Sequence, residues 1–431
     1  MGKGKGARIK TPRWHCLVKR TFYANGFYLL PLYPFPLSPL TLFPQSRLLI
    51  VFYCLTLLAC GQAPPGRGAG EIETTPQAST APGQQGSVSF RVETVVGNLE
   101  VPWSIVWAPD GRMFFTERSG RVRVYQNGKL APQPIFTVPD VTPSGEGGLM
   151  SIALHPQFAS NHLLYLSYVY RSDNQYVRVV RYREGEAGFT ERKVIIENIP
   201  AAQYHAGCRL RFGPDKKLYI TTGDATRRDL AQQLNSLAGK TLRLNDDGSV
   251  PPDNPFVGQQ NARPEIWSYG HRNAQGLDFQ PGTNLIFETE HGPSGFDGPG
   301  GGDEVNIVEK GKNYGWPVIH HTAAAPGMEA PLLEYTPACA PASGMFYRGG
   351  AFSQFRGNFF FGCLIGARMV RVVLDGRRVV SQENLLEGKY GRIREVAEGP
   401  DGYLYFSTSN KDDRGEPAAD DDRILRIVPM K

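Results

Sequence analysis

The chain has 431 residues, of which 41% are apolar and 20% are charged. This composition excludes a disordered protein and supplies a sizeable core. Six cysteines in so long a chain exclude a disulfide-stapled miniprotein. The net charge of +6 suggests a nucleic-acid partner at first. However, residues 1–59 hold eight of the 47 cations and no acidic residue, which leaves 39 cations against 41 acidic residues. We therefore expect no nucleic-acid partner.

Residues 1–59 are predicted to be a leader. The apolar run 48–58 is too short to span a bilayer but has the length of a signal-peptide core. It ends in Leu-Leu-Ala-Cys60-Gly, which resembles a bacterial lipobox. We expect a lipoprotein of the cell envelope, periplasmic or on the surface, with a lipid anchor at Cys60 as its membrane contact. An ordinary signal peptide is the alternative.

The remaining chain divides into a linker and a folded domain. The proline-rich stretch before Arg47 suits neither a membrane helix nor a signal n-region, so it indicates an over-extended start or a genuine extension. Residues 60–86 are rich in Gly, Pro, Gln, Ser and Thr, which is typical of a flexible tether. Residues 87–431 are predicted to form the folded catalytic domain.

One pattern recurs along that domain. A turn such as Pro-Asp-Gly precedes an aromatic strand, and a second strand follows after a loop. Six copies are found, at residues 107–125, 154–170 with 176–182, 211–224 with 240–246, 278–292 with 303–315, 355–374, and 397–410 with 423–428. Repetition of this kind predicts an all-β, six-bladed β-propeller, with a multi-sheet sandwich as the alternative.

Two further segments bear on the architecture. The early strand at 90–99 is expected to complete the last blade and close the ring. Residues 226–238 are the one modest helix candidate. Because the repeats are unevenly spaced, the loops between them are long, and long loops on one face of a scaffold are where a site is expected.

The first candidate for chemistry in these loops is a histidine and an aspartate. His205 precedes the third copy, and Asp224 ends the strand that follows it, in Thr-Thr-Gly-Asp. Strand and loop could return Asp224 to His205, and a carboxylate beside an imidazole suits a general base. A solvated or structural loop histidine is the commoner alternative.

Three other clusters carry polar or charged groups. Residues 271–275 crowd His271, Arg272, Asn273 and Gln275 between two glycines. The glycine-rich loop 290–304 frees backbone carbonyls to face a cation and ends in Asp303 and Glu304, an oxygen-rich setting that calcium prefers. Arg392 and Arg394 alternate on one side of a strand, which suits a ligand with carboxylates. A polar turn, a flexible loop and a surface ion pair are the respective alternatives.

Other features are given no function. The turn 145–150, which contains Glu146, lacks the helix and the lysine of a phosphate loop, so nucleotide binding is rejected. The run Asp420-Asp421-Asp422 is expected to be a solvated loop. The three cysteines after residue 87 allow at most one disulfide among them.

Taken together and in order, these motifs resemble the glucose/sorbosone dehydrogenase family. The resemblance rests on these sequence segments: VPWSIVWAPDGRMFFTER, GEGGLMSIALHPQF, HAGCRLRFGPDKKLYITTGD, YGHRNAQGLDF, EHGP with GGGDEVN and NYGWP, and GRIREV with PDGYLYFSTS. The similarity covers about residues 92–428 and is greatest to the soluble aldose sugar dehydrogenases that depend on pyrroloquinoline quinone (PQQ). It implies a six-bladed propeller, PQQ and calcium as cofactors, an aldose substrate and an external electron acceptor.

The resemblance also implies roles for particular residues. His205 matches the base that takes the proton from the C1 hydroxyl, supported by Asp224. Arg272 and Asn273 match cofactor contacts, and Arg392 and Arg394 match the pair that binds PQQ carboxylates. The calcium that polarises PQQ is matched by the carbonyls of Gly292 and Pro293. A second, structural calcium site is matched by Glu304 and the carbonyl of Tyr314.

The sequence departs from the family pattern at two points. Glu146, which the resemblance implies is a cofactor contact, stands where the family has a glutamine that contacts the quinone; a carboxylate there would either favour calcium or weaken PQQ binding. The segment 363–369 lacks a lysine found near the cofactor, for which Arg368 is a weak substitute. The leading interpretation is oxidation of aldoses at C1 to lactones. A non-catalytic propeller that binds a sugar or a protein, and a calcium-dependent lactonase, are the alternatives.

Overall fold

The computed structural model describes residues 88–186 and 188–430, and these residues form 25 strands in six antiparallel sheets. The leader, the anchor at Cys60 and the tether were predicted at residues 1–86, which lie outside the described residues. Within the described ranges, none of the helices has the length and apolar character needed to cross a bilayer.

The strands follow one another blade by blade, after a first strand that belongs to the last blade, β1 (Phe90–Val96). Blade 1 contains β2 (Pro102–Trp107), β3 (Met113–Glu117), β4 (Arg121–Gln126), β5 (Lys129–Leu130) and β6 (Phe136–Thr137). Blade 2 contains β7 (Leu149–Leu154), β8 (Leu163–Arg171), β9 (Gln175–Gly185) and β10 (Gly188–Pro200). Blade 3 contains β11 (Leu210–Phe212), β12 (Leu218–Thr221), β13 (Lys240–Leu244) and β14 (Ile266–Tyr269).

The second half of the ring repeats this arrangement. Blade 4 contains β15 (Ala274–Phe279), β16 (Ile286–Glu290), β17 (Asp303–Val308) and β18 (Leu333–Tyr335). Blade 5 contains β19 (Pro341–Phe346), β20 (Phe359–Cys363), β21 (Met369–Asp375) and β22 (Arg378–Leu385). Blade 6 contains β23 (Ile393–Glu398), β24 (Leu404–Thr408) and β25 (Ile424–Pro429), and β1 pairs antiparallel with β25.

The six sheets form a ring, which confirms the predicted six-bladed propeller. The first strand of each blade contacts the first strand of the next, in the order β2, β7, β11, β15, β19, β23 and back to β2. The strand predicted to close the ring does so, since Phe90 faces Pro429 and Thr94 faces Leu425 across the ladder. Blade 6 thus takes strands from both ends of the domain, and this pairing covers an edge that would otherwise be open.

Helices contribute little to the described residues. One short α-helix, α1 (Phe158–Asn161), and two 3₁₀ helices, Arg228–Gln232 and Ser353–Phe355, are present there. The helix candidate at 226–238 is therefore reduced to a single 3₁₀ segment. The buried Lys240 ammonium donates to the carbonyls of Leu230, Ala231 and Ala238, and this holds the segment as a folded loop.

The propeller geometry concentrates loops at one mouth of the central channel. Because neighbouring strands are antiparallel, the segment that enters each innermost strand and the segment that leaves the second strand lie at the same end of a blade. The segments before β7, β11, β15 and β23 and those after β12, β16, β20 and β24 therefore converge there. The clusters singled out in the sequence belong to these segments, the aspartate run after β24 included, except for Asp303, Glu304 and Tyr314, which lie on β17 or after it.

The prediction of a solvated loop at Asp420–Asp422 was wrong for two of its three residues. Asp421 and Asp422 are buried, with 1% and 0% of their surface exposed. The Asp422 carboxylate accepts hydrogen bonds from the backbone of Val101, Asn410 and Lys411. The run therefore fastens the chain between β1 and β2 to the loops of blade 6.

Candidate active site

A cavity of about 300 Å³ opens at the mouth where the loops converge. Seven of the residues singled out in the sequence line it: Glu146, His205, Arg272, Gly292, Pro293, Asp303 and Arg392. Arg394 lines a small recess beside it, together with Glu146, Arg118, Asp412 and Arg414. Residues from the second blade to the sixth thus meet at one place.

His205 and Asp224 form the pair that the sequence predicted. The Nδ1 atom of His205 lies 2.7 Å from Oδ1 of Asp224, and both side chains are buried. The same Oδ1 accepts the amide of Thr226, and Oδ2 accepts the indole of Trp316 at 2.8 Å. A carboxylate held on both oxygens fixes the imidazole with its proton on Nδ1, so that Nε2 carries the lone pair.

The backbone around His205 explains why the local sequence is glycine-rich. His205 has a φ of +58°, a left-handed conformation that is uncommon for residues other than glycine. A Cβ atom on Gly223 would lie 2.0 Å from the carbonyl oxygen of His205. Only glycine at 223 lets the strand end approach closely enough for Asp224 to reach the imidazole.

Glu146 connects three of the converging loops. Its Oε2 accepts the backbone amide of His205 and the side-chain amide of Asn273, each at 3.1 Å, and its Oε1 accepts Arg414 at 3.0 Å. Burial by itself would raise the pKa of this carboxyl, but His291, His205 and Arg414 lower it to about 2. Glu146 is therefore ionised and holds these loops together. Asn273 is not among the residues that line the cavity and contacts the site by its hydrogen bond to Glu146.

Arg272 is almost fully buried, with 2% of its surface exposed. Its guanidinium donates to Asp297 at 2.8 Å, to the carbonyl of His291 at 3.0 Å and to the hydroxyl of Ser294 at 3.0 Å. Its backbone amide donates to Glu290. The loop after β16 thus holds this cation in place at the cavity wall.

Arg392 directly precedes β23 and Arg394 lies within it, and both side chains reach the same carboxylate, which was not singled out in the sequence. Asp412 accepts Arg392 at 2.8 and 3.0 Å and lies 3.6 Å from Arg394. Burial lowers the pKa of Arg394 to about 10. The pair is therefore already neutralised in part by a carboxylate of the protein itself.

Asp303 has a different role from the one its position suggested. Its Oδ1 accepts the amide of Gly292, and its Oδ2 accepts the amides of Cys339 and Ala340 at 2.6 Å each. A carboxylate with three backbone donors orders the loop that carries Gly292 and Pro293. Asp303 thus positions this loop, and it also lines the cavity beside Gly292 and Pro293.

His291 was not singled out in the sequence, although it lines both the cavity and the recess. Its Nε2 is buried and has no hydrogen-bond partner within the described residues. Burial lowers the pKa of this imidazole. The signal that could have identified it is its place directly before Gly292 in the glycine-rich loop.

Glu304 and Tyr314 do not line the cavity. The Tyr314 ring stacks on His271 with centroids 4.8 Å apart, and His271 bridges Glu288 and Glu290 at 3.0 and 2.9 Å. Against the effect of burial, these two carboxylates raise the pKa of His271 to about 10. Burial and Glu290 raise the pKa of Glu304. This acidic cluster lies behind Arg272.

The residues present fit an anionic quinone cofactor. Buried guanidiniums at Arg272, Arg392 and Arg394 supply charge-assisted donors for carboxylates. The unpartnered Nε2 of His291 is a buried polar atom that a ligand can satisfy. The cavity of about 300 Å³ has the size of a small-ligand site. For calcium, the backbone at Gly292 and Pro293 lines the same cavity.

Comparison with known proteins agrees with these features. A sequence model of the family described as glucose/sorbosone dehydrogenase matches residues 99–418. The chain is 35% identical over 340 residues to the aldose sugar dehydrogenase of Escherichia coli K12, covering 74% of this chain and 90% of that one.

Two solved structures are similar over 79% of this chain. One is a putative oxidoreductase (glucose dehydrogenase) from Thermus thermophilus, at 42% identity and a TM-score of 0.73, matched over 100% of its length. The other is the PQQ-bound aldose sugar dehydrogenase of Streptomyces coelicolor, at 32% identity and a TM-score of 0.70, matched over 99% of its length. By fold, site and sequence, the chain belongs to the glucose/sorbosone dehydrogenase family of oxidoreductases.

Proposed function

We propose that this protein oxidises aldose sugars at C1 to lactones with PQQ and calcium, and passes the electrons to an external acceptor. The observation that carries the proposal is the His205–Asp224 pair in a cavity lined by buried arginines. Family membership and the PQQ-bound relative from Streptomyces support it.

His205 acts as the general base in this proposal. With its proton held on Nδ1 by Asp224, the imidazole accepts the proton of the C1 hydroxyl at Nε2. The positive charge that results is stabilised by the Asp224 carboxylate, which Trp316 and Thr226 keep in position. PQQ supplies the two-electron acceptor chemistry when it is bound.

The arginines and the loop after β16 bind and orient the cofactor. When PQQ is bound, Arg392 and Arg394 would hold its carboxylates, and Arg272 would stabilise negative charge at the quinone. Gly292 and Pro293 would hold the polarising calcium through their carbonyls, and Glu304 with Tyr314 would hold a structural calcium.

The test is a titration of the purified protein with PQQ and calcium, followed by aldose and a dye acceptor. We expect dye reduction that requires PQQ, and loss of turnover by about 10²-fold or more in His205→Ala with PQQ affinity retained. His162→Ala, at an exposed position on blade 2, is the control and should behave as the parent protein.

Three outcomes would contradict the proposal. Turnover that survives in His205→Ala would remove the base assignment. Sugar binding without dye reduction by any common aldose would favour a binding module, and lactone hydrolysis that needs calcium but not PQQ would favour the lactonase. The arginine pair argues against a lactonase, because hydrolysis needs no group that binds several carboxylates.

A further inference from the structure

Phe296 is a large apolar side chain held in an exposed position at the active-site mouth. Of its surface, 65% is accessible to solvent. Exposed apolar groups cost free energy in proportion to their area, and a ligand that covered this ring would recover part of that cost. Phe296 belongs to the loop 292–302, which also provides Pro293 and Ser294 to the cavity.

Hydrogen bonds within the loop and to neighbouring arginines fix the backbone around Phe296, so the exposed position of its ring is defined by the fold. The amide of Gly295 donates to the carbonyl of Gly298, which places Phe296 and Asp297 at the centre of a tight turn. Asp297 accepts the amide of Ser294 at 2.9 Å and the guanidinium of Arg272 at 2.8 Å. The carbonyl of Asp297 accepts Arg228 at 3.1 Å.

The ring lies beside the proposed base. The planes of Phe296 and His205 are 27° apart, and their centroids are 6.0 Å apart. This is nearly parallel but too distant for the tightest stacking, so the Phe296 ring keeps most of its surface free. A molecule that presents a hydroxyl to His205 can therefore contact the free face of Phe296.

Pyranose sugars have the matching chemistry. When their hydroxyls are equatorial, the axial C–H bonds make each face of the ring apolar, while the rim remains polar. Burying such a face against an aromatic ring removes apolar surface from water on both partners. Ile365, which is 55% exposed and also lines the cavity, adds a second apolar side chain.

We propose that Phe296 is the platform for the apolar face of the sugar ring. This rests on the proposed function and adds a substrate-binding residue to it. Phe296 takes no part in proton transfer. It contributes binding energy that is the same before and during the reaction.

The kinetic test compares Phe296→Ala with Phe296→Tyr in the full, PQQ-loaded protein. A contact that stabilises the bound substrate and the transition state equally affects KM and leaves kcat unchanged. We therefore expect Phe296→Ala to raise KM for glucose by about 10-fold with kcat unchanged. Phe296→Tyr keeps the aromatic face and should retain the parent KM. Val318→Ala, at a side chain that is 62% exposed and does not line the cavity, is the matched control.

A binding measurement separates this inference from the proposed function. The measurement is isothermal titration calorimetry of the protein with 1,5-anhydroglucitol, which lacks the C1 hydroxyl and undergoes no C1 oxidation. We expect the Kd to rise about 10-fold in Phe296→Ala only, and the open-chain polyol sorbitol to bind more weakly than the cyclic analogue in the parent protein. This result would support the platform even if no aldose were oxidised.

The inference fails if Phe296→Ala leaves both KM and the Kd of the analogue unchanged. It also fails if the variant lowers kcat with KM intact, because Phe296 would then serve the reaction itself. Dye reduction by the parent protein together with either result would retain the dehydrogenase and reject the platform.

Discussion

Glu146 shows how one residue can change the character of this kind of site. Its carboxylate places a negative charge among Arg414, Asn273 and the backbone of His205. An amide at this position has one oxygen in place of two and cannot accept all three donors equally well. Glu146 thus fixes the backbone of the loop that carries His205.

The pKa of Glu146 gives a prediction for acid stability. Its folded value of about 2 lies below the ordinary 4.5, so its contribution to stability is present above about pH 4.5 and lost as pH falls toward 2. We expect the unfolding free energy of the parent protein to fall more steeply in this window than that of Glu146→Gln, by up to about 3 kcal/mol.

Denaturant unfolding at pH 6, 4 and 3 would measure this difference. Glu416→Gln, at an exposed position, is the control and should follow the parent protein. Parallel curves for Glu146→Gln and the parent would show that the carboxylate is not stabilised in the folded state.

At the scale of elements, the segment between β1 and β2 must pass from blade 6 to blade 1 without opening the ring. Leu99 and Asp422 exchange backbone hydrogen bonds at 2.8 and 3.1 Å, and Asn98 donates to the carbonyl of Asp420 at 2.9 Å. The Asp422 side chain then fastens Val101 to the loop at 410–411. Ring closure thus depends on a buried carboxylate as well as on the β1–β25 ladder.

Asp422→Ala should destabilise the protein by about 3 kcal/mol, because several buried backbone donors lose their acceptor. Asp420→Ala is the control, since the Asp420 side chain is 53% exposed and should change stability by less than about 0.5 kcal/mol. Urea unfolding of both variants measures the difference. Equal effects would mean that burial of Asp422 is not what holds the closure.

At the scale of the whole molecule, a buried ion pair crosses the central channel. Arg209 of blade 3 donates to Glu395 of blade 6 at 2.7 Å, to Ser104 of blade 1 at 3.1 Å and to the carbonyl of Gln275 in blade 4 at 3.1 Å. Burial lowers the pKa of Arg209 and raises that of Glu395. Four blades therefore meet at one guanidinium.

Removing one partner of this pair should be more harmful than removing both. Arg209→Met leaves Glu395 buried and unpaired, for which we expect a loss of about 3–5 kcal/mol, whereas Arg209→Met with Glu395→Met should recover part of it. Guanidinium unfolding measures both variants. The exposed pair Arg378–Asp375 is the control, with an expected effect below about 1 kcal/mol.

If the double variant were less stable than Arg209→Met alone, the channel pair would be a net source of stability. The single and double variants together thus decide whether the pair serves stability or the alignment of the blades.

The sequence by itself determined the six blades and the closing strand, and it offered the His205–Asp224 pair beside a commoner alternative that the structure then excluded. Each of these depends on information that is local in the chain: a turn, an alternating strand and the length of the loop that returns Asp224 to His205. Strand alternation also placed Arg392 and Arg394 on one side. Such patterns depend on the backbone geometry of neighbouring residues, so they are visible in the sequence without knowledge of which distant segments come into contact.

Only the tertiary structure decided which charges face one another. Asp412 lies between Arg392 and Arg394, Asp303 binds backbone amides, and Asp421 and Asp422 are buried although the run of acids suggested a solvated loop. Each outcome depends on loops of different blades meeting at the mouth of the ring. Spacing along the chain carries no signal for such contacts, because the free energy of a buried charge is set by the partners that folding brings to it.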